Sequence, residues 1–263
     1  MKKLSADLLA ESSELADFCE RMDLSQWQWP TAFHGWSAWD EIAHLCLLDE
    51  AGTLAVIDAV AFVQRAEQLR ARRAQGEEIS GIARATYGHM TGPELLRHWR
   101  KVFDRLVHAL AFRDAQARLP WFGPSMSARS FATARLMETW AHGLDIYDAL
   151  HQTRHATPRL RHIAHLGVNT FAWTFQNRGL PVPEVAPYVA LTAPDGSLWE
   201  WHSPSATDYV KGDAEDFCKV VTQRRLATQT QLTWAGSASA WLPIAQCFAG
   251  PPTQKRDATP LAT

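Results

Sequence analysis

Apolar residues return every three or four positions through four long stretches of this chain, the period of a helix with one buried face. In the first, over residues 4–21, Leu4, Leu8, Leu9, Leu15, Phe18 and Cys19 are in phase. Asp23 to Gly35 breaks the period with Pro30, Trp27 and Trp29 and reads as a loop. Ser37 then reads as an N-cap, with Asp40 and Glu41 in the first turn, where carboxylates complement the helix dipole. The helix it opens is predicted to run into the sixties through Ile42, Leu45, Leu48, Leu54, Ile57, Val60 and Phe62. Residues 66–90 are polar and carry Gly76, Gly81 and Gly88, which predicts a loop with at most a turn or two of helix. Thr91-Gly-Pro93-Glu94 opens a third long helix carrying Leu95, Leu96, Trp99, Val102, Phe103, Leu106 and Leu110, since proline suits a first turn. Leu119-Pro-Trp-Phe-Gly-Pro124 is a break. After it, Ser125 or Ser127 caps a fourth helix through Phe131, Leu136, Trp140, Leu144, Tyr147 and Leu150. Four long amphipathic helices with modest connections predict a four-helix bundle over residues 1–156.

The pattern changes at Thr157-Pro158. A helix through Ile163, Leu166, Val168, Phe171 and Phe175 ends near Gly179. Strand-like Tyr188–Thr192 and Leu198–His202 flank a Pro194-Asp-Gly-Ser197 turn. Val210-Lys-Gly-Asp213 leads into a helix to Arg225, Thr230–Trp234 reads as a short strand, and a last helix covers 238–248. The expected fold class is α+β overall: an all-α four-helix bundle, then a small α+β domain over 157–250. Residues 251–263 are expected to be a disordered tail.

Charge narrows the partners. Lysine and arginine number 26 against 28 aspartates and glutamates, a net −2, so no field draws the chain to nucleic acid or anionic membrane. No apolar run approaches the ~18 residues of a membrane span, and Asp7 and Glu11 interrupt any leader-like core. The four cysteines lie far apart with no CxxC pair, as in a cytoplasmic protein with reduced thiols. Twelve tryptophans are many for this length; most read as core, but Trp36, Trp39 and Trp140 flank the residues with chemistry.

Glu138 and His142 are four apart on the fourth helix, so they share a face and can grip one cation. Alone, such a pair is as well explained by an exposed helical contact. Here it sits among Leu136, Met137, Trp140 and Leu144, and His44 lies in an equally apolar setting on another helix. Two imidazoles and one carboxylate make a three-point metal site with coordination positions left over. Asp40 and Asp145, one turn from each histidine, can orient the imidazoles or simply answer helix-dipole and surface charge. Cys46 reads as a buried apolar residue. His151, His155, His162 and His165 have partly helical spacing but no carboxylate in phase, and rank below the first set.

The stretch Gly35-Trp36-Ser37-Ala38-Trp39-Asp40-Glu41-Ile42-Ala43-His44-Leu45 resembles the helix-two signature of the DinB-like metal-binding bundles. It is closest to their mycothiol-dependent maleylpyruvate isomerase branch, in which GW(S/T)xxDxxAHL recurs. Glu138-Thr-Trp-Ala-His142 resembles that branch's second signature, and Val210-Lys-Gly-Asp-Ala-Glu-Asp-Phe217 resembles its C-terminal domain, similar to sterol carrier protein type two. The resemblance implies metal ligands His44, Glu138 and His142, with zinc favoured over nickel, manganese or iron. It also implies a low-molecular-weight thiol as cosubstrate and a small-molecule substrate whose carboxylate meets Arg224 or its neighbour Arg225, with Arg224 the expected partner. The expected activity is isomerisation or S-transfer on a small electrophile. A metal- and ligand-binding protein without turnover, or a bundle with a purely structural metal, are the rivals, and a homodimer is left open.

Overall fold

The computed structural model describes residues 1–253. They fall into two compact units, Met1–Arg154 and the residues from His155 onward. The fold is α+β, with helices alone carrying the first unit's core and a sheet in the second.

Side-chain caps at Ser37, Asp58 and Ser127 open helices of the first unit. α1 spans Lys2–Glu20 and α2 spans Ala38–Ile57. Ser37 Oγ accepts from the Asp40 N–H at 3.3 Å while Asp40 Oδ2 accepts from the Ser37 N–H at 2.9 Å, a capping box worth about 1 kcal/mol. The expected single helix into the sixties is two. Asp58 leaves helical geometry at φ −149°, ends α2 and caps α3 (Ala59–Ala74) by accepting from the Ala61 N–H. The polar stretch after it is not a loop either, because α3 continues to Ala74 and α4 follows at Ile79–Tyr87. Three buried apolar residues in α3, Phe62, Ala66 and Leu69, seat it, while its exposed surface carries charged residues together with Val60 and Val63. α5 spans Gly92–Ala111 and α6 spans Ala128–Ala149, the latter capped by Ser127. Between them β1 (Arg118–Leu119) and β2 (Met126–Ser127) pair as a short hairpin across the expected break.

α1 and α2 each pack against both α5 and α6, which puts α1 and α2 at opposite corners of a four-helix bundle. α3 and α4 lie against the outer side of α2. This cover explains why α2 is buried nearly all round, its polar residues Asp40, Glu41, His44 and Asp49 included. At the foot of the bundle Gly92 meets the ring of fully buried Trp27. A Cβ there would stand 2.1 Å from Cδ2, so only glycine allows the approach.

In the second unit α7 (Leu160–Asn169) and α8 (Phe171–Gln176) form where one helix was expected. The break falls at Thr170, whose hydroxyl donates back to the Leu166 carbonyl. β3 (Tyr188–Thr192) and β4 (Leu198–Trp201) form the expected hairpin; β5 (Tyr209–Asp213) lies parallel to β3, and β6 (Thr233–Ala235) completes the order β4-β3-β5-β6. β3 is central, and Val189 and Leu191 are fully buried. α9 (Ala214–Val221) covers β3 and β5 and packs on α7. It stops four residues short of the expected Arg225. The final helix is also shorter, with α10 at Ala238–Trp241 and one 3-10 turn through Pro243. Of the expected tail, Thr253 is held by Gln246 Oε1 at 3.0 Å and Gln223 Nε2 at 2.8 Å. Residues 254–263 lie outside the described part.

Candidate metal centre

The chain entering α2 folds back as a hairpin. The Thr31 N–H donates to the Trp36 carbonyl at 2.6 Å, and the Trp36 N–H donates to the Phe33 carbonyl at 3.0 Å. His34 (φ 53°) and Gly35 (φ 69°) form its two-residue tip. Positive φ at both central positions is what a type I′ turn requires, and glycine adopts it at no steric cost. The turn brings Phe33 and Trp36 over the start of α2. The Trp36 ring lies parallel to His142 at 6.0 Å and 5.3 Å from His44, while Phe33 meets His142 edge-on at 5.0 Å.

Under these rings the bundle brings all three expected ligands together. His44 on α2 and Glu138 and His142 on α6 each offer a ligand atom within 4.8 Å of the others. Glu138 Oε2 is 3.2 Å from His142 Nε2 and 3.7 Å from His44 Nε2, and the two imidazole centroids are 4.5 Å apart. Side-chain exposure is 22% at Glu138, 11% at His44 and 4% at His142, so the site opens on the Glu138 side and His142 forms its floor. Burial alone pushes the Glu138 carboxyl up; hydrogen bonds and charge from His142 and His44 outweigh it and hold the group well below the usual carboxylate range.

The far side of His142 carries a residue that sequence reasoning missed. Glu41 is fully buried, and its Oε2 lies 2.7 Å from His142 Nδ1. Thr31 donates its hydroxyl to the other oxygen, Oε1, at 2.7 Å, which fixes the carboxylate. A carboxylate only accepts, so Nδ1 donates to Glu41, and Nε2 is the ring nitrogen that faces Glu138. Glu41 had read as a first-turn dipole residue, although it stands three positions before His44 and therefore shares its face. Asp145 lies in the same buried group, with ligand atoms of Glu41, His142 and Asp145 within 4.8 Å of one another. Asp40 does not orient His44. It is spent on the cap and on Arg84, 2.5 Å away, and His44 Nδ1 is buried without a hydrogen-bond partner. Glu41→Gln should weaken metal binding by about 10–100-fold, the usual effect of losing the carboxylate behind a ligating histidine. Competition against a chelator reads this directly, and an unchanged affinity would refute the orienting role.

His165 has its ring nitrogens engaged by Trp201 (3.1 Å) and Asn169 (2.9 Å), and none of His151, His155, His162 and His165 joins a convergent group of three ligand atoms among the described residues. Arg224 is buried in the second unit, where its Nη1 donates to the Thr222 carbonyl at 2.9 Å.

A family model described as the mycothiol maleylpyruvate isomerase N-terminal domain matches residues 8–147, just over half of the chain and a span that contains His44, Glu138 and His142. The chain belongs to the mycothiol maleylpyruvate isomerase family. An uncharacterised protein of Mycobacterium tuberculosis, found in strains CDC 1551 and H37Rv, is 42% identical over 252 residues, covering 95% of this chain and 97% of the relative. Among solved structures, that of a mycothiol-dependent maleylpyruvate isomerase aligns with a TM-score of 0.54 at 14% identity, over 85% of this chain and 89% of that one. A histidine-to-alanine mutant of an isomerase of the same name aligns with the same score at 13% identity. At such identity the likeness speaks to the fold. For this family member, no helix among the described residues is long and apolar enough to cross a membrane.

Proposed function

We propose that the chain is a metal-dependent enzyme that uses a low-molecular-weight thiol to isomerise, or to transfer that thiol onto, a small electrophile. One observation supports the metal: a Glu138 carboxylate oxygen, 3.2 Å from His142 Nε2 and 3.7 Å from His44 Nε2, converges with both imidazoles so that all three ligand atoms lie within 4.8 Å of one another, a geometry from which one cation can be gripped. The donor set of two imidazoles and one carboxylate fits zinc and also suits iron, nickel or manganese, so His44, Glu138 and His142 would hold a divalent ion. Bound there, such an ion would favour the thiolate form of a thiol at neutral pH and polarise a substrate carbonyl.

The chain's own residues prepare the rest. Glu41 keeps His142 in the ligating tautomer. Phe33 and Trp36 exclude water from one side of the imidazoles, and the open side at Glu138 admits a small molecule. The nucleophilic thiol is an external one, because all four cysteines are buried. Burial pushes Cys19 up to about 12 and raises Cys46 and Cys218 as well, the reverse of what a reactive thiol needs. The names of the family and of the aligned structure favour mycothiol as that thiol and maleylpyruvate as a first substrate to try.

The test incubates metal-loaded protein with a panel of thiols, mycothiol among them, and of electrophiles that includes maleylpyruvate. Thiol-dependent turnover that disappears on chelation and returns with metal is the expected result. No turnover above the metal-free background across the panel would leave a binding protein in its place.

A further inference from the structure

A second set of ligand atoms converges on the opposite side of α2. Cys46 is two residues, or about 200°, round the helix from His44. Glu50 stands one turn after Cys46, and His98 faces both from α5. Cys46 Sγ, a Glu50 carboxylate oxygen and a His98 ring nitrogen lie within 4.8 Å of one another, and His98 Nε2 is 2.8 Å from Glu50 Oε1. Tyr87 of α4 closes the group from a third helix. Its ring is 5.8 Å from His98, and its buried hydroxyl faces Glu50 and Cys46. The thiol lies at the bottom, and the carboxylate and imidazole above it are about one-third exposed, so the group is open to solvent at one end.

We propose that Cys46, Glu50 and His98 form a second metal site for a borderline-soft divalent cation such as zinc, with the Tyr87 hydroxyl against it. A thiol, an imidazole and a carboxylate are zinc's three protein ligand types, whereas magnesium and calcium prefer oxygen alone. On binding, the Cys46 S–H bond breaks, the sulfur electron pair bonds to the cation, and the proton leaves to solvent past Glu50 and His98. The ion ties α2 to α5 beside the main site without sharing a ligand with it. The rival account is a buried thiol next to a surface His98–Glu50 ion pair. That account gives no reason for a thiol, a carboxylate and an imidazole to converge beneath Tyr87.

Cobalt(II) separates the two accounts, because thiolate ligation produces a sulfur-to-cobalt charge-transfer band in the near ultraviolet. The full-length, metal-free chain is titrated in thiol-free buffer. The band is expected in the wild type and in His44→Ala, since His44, Glu138 and His142 supply no sulfur. It should vanish in Cys46→Ser. In His98→Ala, whose partly exposed ring can be removed without opening the core, cobalt should bind at least about tenfold more weakly. A wild type without the band, a band that survives Cys46→Ser, or one indifferent to His98→Ala overturns the proposal. None of these outcomes depends on whether the chain turns over a substrate.

Discussion

His142→Ala is expected to remove one bound metal ion per chain and to lower thiol-dependent turnover by on the order of a thousandfold. That is the rate equivalent of about 4 kcal/mol, the scale on which a metal supports such chemistry. The substitution deletes the deepest of the three ligands and the one whose tautomer the protein controls through Glu41 and Thr31. It also leaves Glu41 buried with one hydrogen-bond donor fewer, so a stability loss of about 1–3 kcal/mol should accompany it. The fold should survive, because Thr31 still donates to Glu41 and the helices around the site are held by apolar contacts. Far-UV circular dichroism should therefore match the wild type while metal analysis and rate do not. Glu138→Gln is the control, since Glu138 sits at the opening and its loss leaves no buried charge behind; it should reproduce the loss of metal with a smaller change in stability. Wild-type metal content in His142→Ala would sink the assignment, and collapse of the fold in both variants would make the site structural.

Much of this centre was legible before any coordinates. The i,i+4 spacing of Glu138 and His142 depends only on α6 being a helix, and Ser37 announced the start of α2, which sets the phase of His44. The contact between Glu41 and His142 was not legible, because the two residues meet across 101 positions of chain. A first-turn glutamate has a sufficient local explanation, and nothing local argues for a better one. The same limit hid the group at Cys46, whose partner His98 lies on a different helix. In the fold, the helix expected to run into the sixties failed for an instructive reason. Ile57 and Val60 extend the apolar period, yet they are 54% and 70% exposed. They imitated a buried face while Asp58, between them, capped a new helix. The opposite error fell on α3 and α4, whose polar residues cover α2 through a few apolar contacts that a composition-based reading discounts.

Arg135→Met should cost the first unit about 3–5 kcal/mol, read from urea unfolding, although the position is remote from solvent and touches no ligand. Arg135 on α6 donates from Nε to Asp49 Oδ1 of α2 at 2.8 Å, and the pair is almost wholly buried. Trp99 Nε1 of α5 donates to the other Asp49 oxygen, also at 2.8 Å, so three bundle helices meet at one carboxylate. Methionine fills much of the arginine's volume, so packing loss is small and the cost isolates the charge. Asp49 is left ionised in the core with a single neutral donor. The double variant Arg135→Met/Asp49→Leu should recover most of the loss, because no buried charge remains. It should fall short of wild type by the cost of the orphaned Trp99 N–H, about 1–3 kcal/mol. The order wild type, double, single is the discriminating result, and a single variant within 1 kcal/mol of wild type would mean that the pair is energetically idle. The position gives the pair its interest. Arg135 stands three residues before Glu138 and Asp49 five after His44, so the bond fixes the approach of α2 to α6 one layer from the candidate centre. A loosened pair would let the ligand-bearing helices drift, and the single variant should therefore bind metal more weakly than the double even though neither alters a ligand.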